Sequence, residues 1–261
     1  MQDPIIAIQD LFKTINHSFW DTIHKIPQSG GDRIYFRIHQ GGQSWIATVS
    51  LNIKENQTFI YFAQHFKAKG LPVPEVLAIN KEGTCYIQED VGTTSLLEVL
   101  EKEGKTDHVF SLFKKSLKSL AELQVKGHQG LDYQKCLTSK LFGNQSIMSD
   151  LLYYKYYFLD SLQYPYDKQA LMNEFELLSD ELASKDFNYF LFRDFQSRNI
   201  MVHNDEVYFI DFQGGMQGGL SYDVASLLWQ AKAELSQEWE DQLLAYYIQE
   251  VNKLLPQALN E

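Results

Sequence analysis

Residues 191–215 read LFRDFQSRNIMVHNDEVYFIDFQGG, and the order of polar groups in that stretch decides how the chain is read. Arg193 and Asp194 come first, and Asn199 follows five positions after Asp194. An apolar segment, an Asn204-Asp205 turn and a second apolar segment then lead to Asp211-Phe212. Two short apolar runs around a polar pair predict a β-hairpin. That hairpin carries the chain back on itself, so Asp211 returns beside Asn199. Any one of these polar residues is ordinary at a turn. The combination of D-x4-N, a strand pair and Asp-Phe is far more specific.

Phosphoryl transfer needs those residue types in that order. A carboxylate must orient and deprotonate the acceptor hydroxyl, and oxygen ligands must hold Mg²⁺ against the phosphates of ATP. Asp194 suits the first task; Asn199 and Asp211 suit the second. The competing reading is a buried hairpin whose polar ends only cap turns.

Composition narrows the alternatives. The 261 residues allow one large domain or two lobes, and a hydrophobic content of 44% supplies a core. The net charge of -11 argues against a nucleic-acid or anionic-membrane partner, both of which need a basic face. A small phosphorylated ligand needs only a local cation or a metal. Cys85 and Cys136 are too few for a disulfide framework, and no Cys or His pair has zinc-ligand spacing. The opening MQDPIIAIQDLF is acidic and its apolar run is short for a signal peptide. No stretch approaches the ~20 apolar residues of a membrane span. The expected compartment is cytoplasmic.

Along the chain, Ile5, Ile8, Leu11, Phe12, Ile15, Phe19 and Ile23 predict one amphipathic helix over 5–26. RIYFRI and SWIATVSL flank Gly41-Gly42 as a hairpin, and residues 55–69 form a helix closed by Gly70. VPEVLAIN and TCYIQED add two strands. Beyond Gly92 the pattern turns helical over 95–103, 107–126, 146–163, 167–184 and 223–255, the last as two helices. The expectation is an α+β, two-lobed molecule: a nucleotide-binding N-lobe over 1–91 and a helical C-lobe over 92–261.

The quoted stretch resembles the active-site segment of the aminoglycoside-phosphotransferase-like kinases, a branch of the protein-kinase-like fold. It is most similar to the bacterial anomeric kinases of N-acetylmuramate and N-acetylglucosamine in cell-wall recycling. Their loop reads H-R-D-Y-H-A-R-N followed by D-F-Q; here it is Phe192 to Asn199, then Asp211-Phe212-Gln213. SGGDRIYFRI, LPVPEVLAI, YIQEDVG and LSYDVASLL extend the likeness over about residues 29 to 230. The resemblance implies Asp194 as catalytic base, with Asn199 and Asp211 as magnesium ligands. It implies Ser29, Gly30, Gly31 and Arg33 in a phosphate loop, and the backbone from Glu89 to Val91 against adenine. Asp223 becomes a structural anchor beneath the loop, paired with Arg193. Relatives continue with further helices, so the chain is expected to have a shortened C-lobe or to be a piece of a longer product. Nothing in the sequence marks an oligomeric state.

Two departures stand out. Phe192 replaces the usual loop histidine, keeping ring volume and losing a polar contact. The strand WIATVSL lacks the lysine that protein kinases use to grip the α- and β-phosphates. Arg33, Arg37 and Lys54 are the candidate substitutes, with Glu55 placed to orient one of them; the alternative is that these are surface charges. Arg198 suits a substrate anion or a phosphate. Gln196, Gln213 and GGMQGG (214–219) are expected along the acceptor cleft, and the aromatic run over 151–166 either stacks on a sugar or packs in a core. The acceptor reads as a small molecule with a sugar hydroxyl, most concretely an amino sugar. Alternatives are an aminoglycoside, choline or homoserine, or a nucleotide-binding module without catalysis.

Overall fold

Alternation in RIYFRI and SWIATVSL builds the middle of an antiparallel sheet. The computed structural model describes residues 3–16, 18–27, 32–183 and 189–256. Among them, β1 (Thr22–Lys25), β2 (Ile34–Gln40), β3 (Gln43–Val49), β4 (Val76–Ile79) and β5 (Cys85–Glu89) form one sheet in the order β1-β2-β3-β5-β4. All neighbours run antiparallel. Gly41 and Gly42 make the two-residue β2–β3 turn with φ of 55° and 83°, left-handed values that glycine adopts without strain.

The register sets Tyr35, Thr48 and Tyr86 in one row across β2, β3 and β5. The opposite face carries Phe36, Ile38, Ala47, Cys85 and Ile87, which pack under Ile8, Leu11 and Phe12 of α1 (Pro4–Ile15). The single helix expected over 5–26 is therefore corrected. Asn16 leaves helical geometry at φ -139°, and Thr22–Lys25 is an edge strand paired from Thr22↔His39 to Lys25↔Phe36. Ile23 keeps helical spacing from Phe19, but it is β-branched, and the strand partner it needs lies some fifteen positions on, beyond any local pattern.

On the sheet's other face lies α2 (Ile53–Ala68), opened by Asn52, whose side chain accepts the Glu55 N–H. A short β6 (Thr94–Ser95) and a Ser95–Glu98 capping box start α3 (Leu96–Glu103). Then follow α4 (Asp107–His128), α5 (Asn144–Tyr154) and α6 (Lys168–Ala183). The helix expected over 146–163 is shorter than that: α5 ends at Tyr154 and continues as a π turn to Leu159 and a 3-10 turn to Leu162. β7 (Tyr189–Leu191) pairs with β10 (Met216–Gly218), and between them β8 (Ile200–His203) pairs with β9 (Glu206–Phe209). The expected pair of closing helices is α7 (Ser221–Leu228) and α8 (Gln237–Asn252).

One core runs through both halves. Phe59, Phe62 and Phe66 of α2 and Tyr86 of β5 belong to the same buried cluster as Leu117 and Leu120 of α4, Phe190, Phe192, Phe209 and Phe212. The sheet and the helical part are thus held together over the segment that carries Asp194. No helix among the described residues is long and apolar enough to cross a membrane.

Candidate active site

The hairpin expected after Asn199 forms about the expected Asn204-Asp205 turn, paired from Ile200↔Phe209 to His203↔Glu206. Asn204 and Asp205 take φ of 52° and 60°, as a primed two-residue turn requires. The Ile210 N–H then donates to the Asn199 carbonyl at 3.1 Å, so Asn199 and Asp211 leave the hairpin side by side.

The loop before the hairpin is held from beneath. The Asp223 carboxylate, fully buried on α7, accepts the backbone N–H of Phe192 at 2.8 Å and of Arg193 at 3.0 Å. The amide of Gln124 on α4 donates to the same carboxylate at 3.1 Å, and the Tyr247 hydroxyl on α8 donates to the Gln124 oxygen. Burial lifts the Asp223 carboxyl to about 6, against the three donors that favour its charged form. Further along, the Gln230 side-chain oxygen accepts from the Ser197 hydroxyl at 2.8 Å.

The pairing expected between Asp223 and Arg193 is corrected in one respect. Asp223 holds the main chain of Arg193, whereas the guanidinium reaches Asp150 on α5 in two bonds of 2.6 and 2.7 Å. Phe192 is fully buried, edge-on to Phe195 at 5.2 Å and to Phe209 at 6.1 Å. Phe192 thus belongs to an aromatic cluster, while the loop's backbone N–H groups are held by Asp223.

The Asn199 side-chain amide donates to the Asp194 carbonyl at 2.9 Å, which leaves its oxygen as the atom available to a ligand. Asp211 has φ of 68° and accepts from the Gln213 amide at 2.7 Å. Desolvation, then the nearby Asp211 carboxylate, shifts Asp194 upward from its ordinary value; Arg193 and Arg198 pull it down. Arg198 is exposed on the 3-10 turn Ser197–Asn199. No group of three or more His, Cys, Asp and Glu among the described residues is placed to hold a metal. One amide oxygen and one carboxylate nevertheless fit Mg²⁺, which keeps waters and takes phosphate oxygens for its remaining positions.

Above this loop, Arg33 is buried just before β2, and its Nη2 lies 2.8 Å from Glu55 Oε1 on α2. Its guanidinium stands 5.7 Å from the Phe59 ring, which stacks on Tyr86 at 5.3 Å and on Phe212 at 4.8 Å. Arg37 shares the strand face but points elsewhere: Asp90 takes its Nε at 2.7 Å and the Gly92 carbonyl takes its Nη2 at 3.0 Å. Lys54 is exposed on the first turn of α2. Glu89 pairs with Lys67 at 2.8 Å and its N–H donates to the Glu75 carbonyl, while Val91 is buried. Ser29, Gly30 and Gly31 lie outside the described residues.

GGMQGG has a packing reason alongside any cleft role. A Cβ on Gly215 would stand 2.3 Å from the Phe190 ring and one on Gly218 2.5 Å from Leu191, so β10 reaches β7 only with glycine there. Gly214 faces Asp194 directly. The aromatic run is largely outside the core: Tyr153, Tyr157 and Tyr164 are exposed. Sequence reasoning missed Asp150, Gln124 and Tyr247. A carboxylate on a helix face and a glutamine within an apolar helical stripe give no local sign of a partner 43 or 99 positions away.

Residues 22–257 match the pattern of a family described as phosphotransferase enzyme family. The chain belongs to that family. An N-acetylmuramate/N-acetylglucosamine kinase from Neisseria meningitidis serogroup B is 27% identical over 201 residues, 72% of this chain and 56% of that protein. The chain therefore spans little more than half the length of this curated relative. A choline kinase from Streptococcus pneumoniae superposes with a TM-score of 0.65 at 15% identity, covering 93% of this chain and 79% of that one. A thermostable mutant of aminoglycoside phosphotransferase APH(4)-Ia, in ternary complex with ADP and hygromycin B, gives 0.59 at 15% identity, covering 95% and 84%. At such identities the likeness establishes the fold, α+β and protein-kinase-like.

Proposed function

We propose that this phosphotransferase-family chain is an ATP- and Mg²⁺-dependent kinase for a hydroxyl of a small molecule, with the anomeric hydroxyl of an N-acetylated amino sugar as acceptor. The observation that carries the reading is the gathering of Asp194, Asn199 and Asp211 at the mouth of one hairpin. Asp194 accepts the proton of the attacking hydroxyl; it stands beside Asn199, whose amide donates to its backbone carbonyl, and beside Gly214, which leaves room for an acceptor. The Asn199 oxygen and the Asp211 carboxylate would hold Mg²⁺, whose contribution when bound is to offset phosphate charge. Arg33, oriented by Glu55, takes the place of the absent strand lysine at the α- and β-phosphates. Ser29, Gly30 and Gly31 are assigned to the phosphates on the sequence resemblance alone, and the backbone around Glu89 and Val91 to the base. Arg198 lies on the acceptor side. The nucleotide then sits between a lobe of residues 1–91 and one of residues 92–261, in a cytoplasmic protein.

The amino-sugar acceptor is supported by the 27% identical relative. The test is ADP release with magnesium across amino sugars, choline and aminoglycosides. Turnover is expected with N-acetylated amino sugars, and Asp194→Ala is expected to abolish it while leaving ATP binding within about two-fold; general-base assistance of this kind is worth roughly 10²–10⁴ in rate. Wild-type turnover in Asp194→Ala sinks the assignment of the base. Nucleotide binding without turnover on any acceptor favours a non-catalytic module.

A further inference from the structure

Two helices grip the turn that presents Asp194, and they grip different parts of it. From α7, Asp223 takes the backbone N–H groups of Phe192 and Arg193. From α5, Asp150 takes the Arg193 guanidinium in a fork of 2.6 and 2.7 Å. The same guanidinium donates to the Tyr222 hydroxyl at 3.0 Å and lies 4.9 Å from the Phe142 ring centroid and 5.4 Å from that of Tyr222. A planar fork on a carboxylate fixes direction as well as distance. Arg193 also has φ of 86°, a left-handed value for a residue with a Cβ, and such a conformation persists only where its surroundings over-determine it. The side chain of Arg193 is therefore part of what holds the backbone next to Asp194.

The other end of the pair is lightly seated. Among the described residues, Ile147 is the buried residue of α5, and Phe175 and Ser179 are those of α6. These helices pack on each other, with the Ser179 hydroxyl donating to the Asn144 carbonyl at 3.1 Å. With so little apolar burial to place them, a half-buried bidentate ion pair spanning 43 positions is a substantial tie between this helical pair and the loop.

We propose that Asp150 is a positioning residue for phosphoryl transfer: by holding Arg193 it keeps Asp194 aimed and couples that aim to the seating of α5 and α6. The kinetic consequence rests on the kinase reading above; the coupling itself rests on the geometry. Asp150 touches neither nucleotide nor reacting hydroxyl in this scheme and acts through Arg193.

The test compares wild type, Asp150→Asn, Asp150→Glu and Arg193→Lys in the full chain by two readouts. In kinetics, Asp150→Asn lowers kcat about ten- to a hundred-fold, the loss expected when a reacting group is misplaced by an ångström or less. KM for ATP stays within about two-fold, and Asp150→Glu, which restores the charge, recovers much of the loss. In backbone hydrogen exchange without substrates, residues 189–199 exchange about ten-fold faster in Asp150→Asn and in Arg193→Lys, while β2 and β3 are unchanged. A kcat within two-fold of wild type in Asp150→Asn overturns the proposal. So does exchange that rises only in α5, or that rises throughout the chain in both Asp150→Asn and Arg193→Lys, since that marks a general stability role. If wild type transfers phosphate to no acceptor, the kinase reading falls and the exchange experiment still decides whether Asp150 governs the loop.

Discussion

At Phe192 the loop exchanges a hydrogen-bonding side chain for a ring, and the neighbouring residues account for the exchange. Phe195, Phe209 and Phe212 surround it edge-on, and the backbone N–H groups that need an acceptor find it in Asp223. Phe192→Ala should therefore cost about 3–5 kcal/mol, the range for emptying a buried aromatic site. Phe192→His should cost about 1–3 kcal/mol, because an imidazole nitrogen enters an apolar cluster. Urea unfolding of both variants checks this, and a histidine variant as stable as wild type would show that the polar contact had merely been lost. Asp194, Asn199 and Asp211 were legible because their relation is local: five residues and one hairpin set it. Asp150 was not, because a helix-borne carboxylate has no local feature that names its partner.

Between elements, the junction of β2 with α2 separates the cations proposed to stand in for the absent strand lysine. Alternation along β2 puts Arg33 and Arg37 on one face, about 13 Å apart at 3.3 Å per residue. That spacing lets one of them meet Glu55 on the first turn of α2 and sends the other to Asp90. Glu55 is itself fixed: Asn52 accepts its N–H and donates to its carboxylate at 3.1 Å. Arg33→Met should raise KM for ATP about ten-fold or more, as expected on losing a charge-assisted contact of 1.5–3 kcal/mol. Glu55→Gln should shift it in the same direction by less, and KM for the acceptor should hold. Steady-state kinetics with each substrate varied in turn checks it; an unchanged KM for ATP in Arg33→Met returns the role to Arg37 or Lys54. Sequence spacing makes all three cations candidates for the phosphates, and only the pairings separate them.

Over the whole molecule, a single buried cluster and one polar chain, Tyr247 to Gln124 to Asp223, join α8, α4 and α7 to the loop. Asp223 makes that arrangement sensitive to pH. Its carboxyl sits at about 6 in the fold, above the ordinary value near 4, so the folded state favours the protonated form. Its contribution to stability is full below about pH 4 and is lost as pH rises through about 6, on the order of 2–3 kcal/mol. The backbone N–H groups of Phe192 and Arg193 and the Gln124 amide favour the charged form and oppose that shift. Unfolding free energies measured from pH 4.5 to 7 should show this slope in wild type and not in Asp223→Asn; equal slopes refute it.

Sequence alone was enough for the α+β class, the hairpin at 200–211 and the gathering of Asp194, Asn199 and Asp211, because periodicity and turn chemistry act within a few residues; β6, β7 and β10 were not foreseen. Periodicity does not carry across the turn within 5–26, because the edge strand at Thr22–Lys25 exists only by pairing with β2. The tertiary structure decided what required a partner far along the chain: Glu55 for Arg33, Asp90 for Arg37, Asp150 for the Arg193 side chain and Asp223 for its backbone. Ion pairs and buried hydrogen bonds select their partners by position in space, and packing of the shared core is what sets those positions.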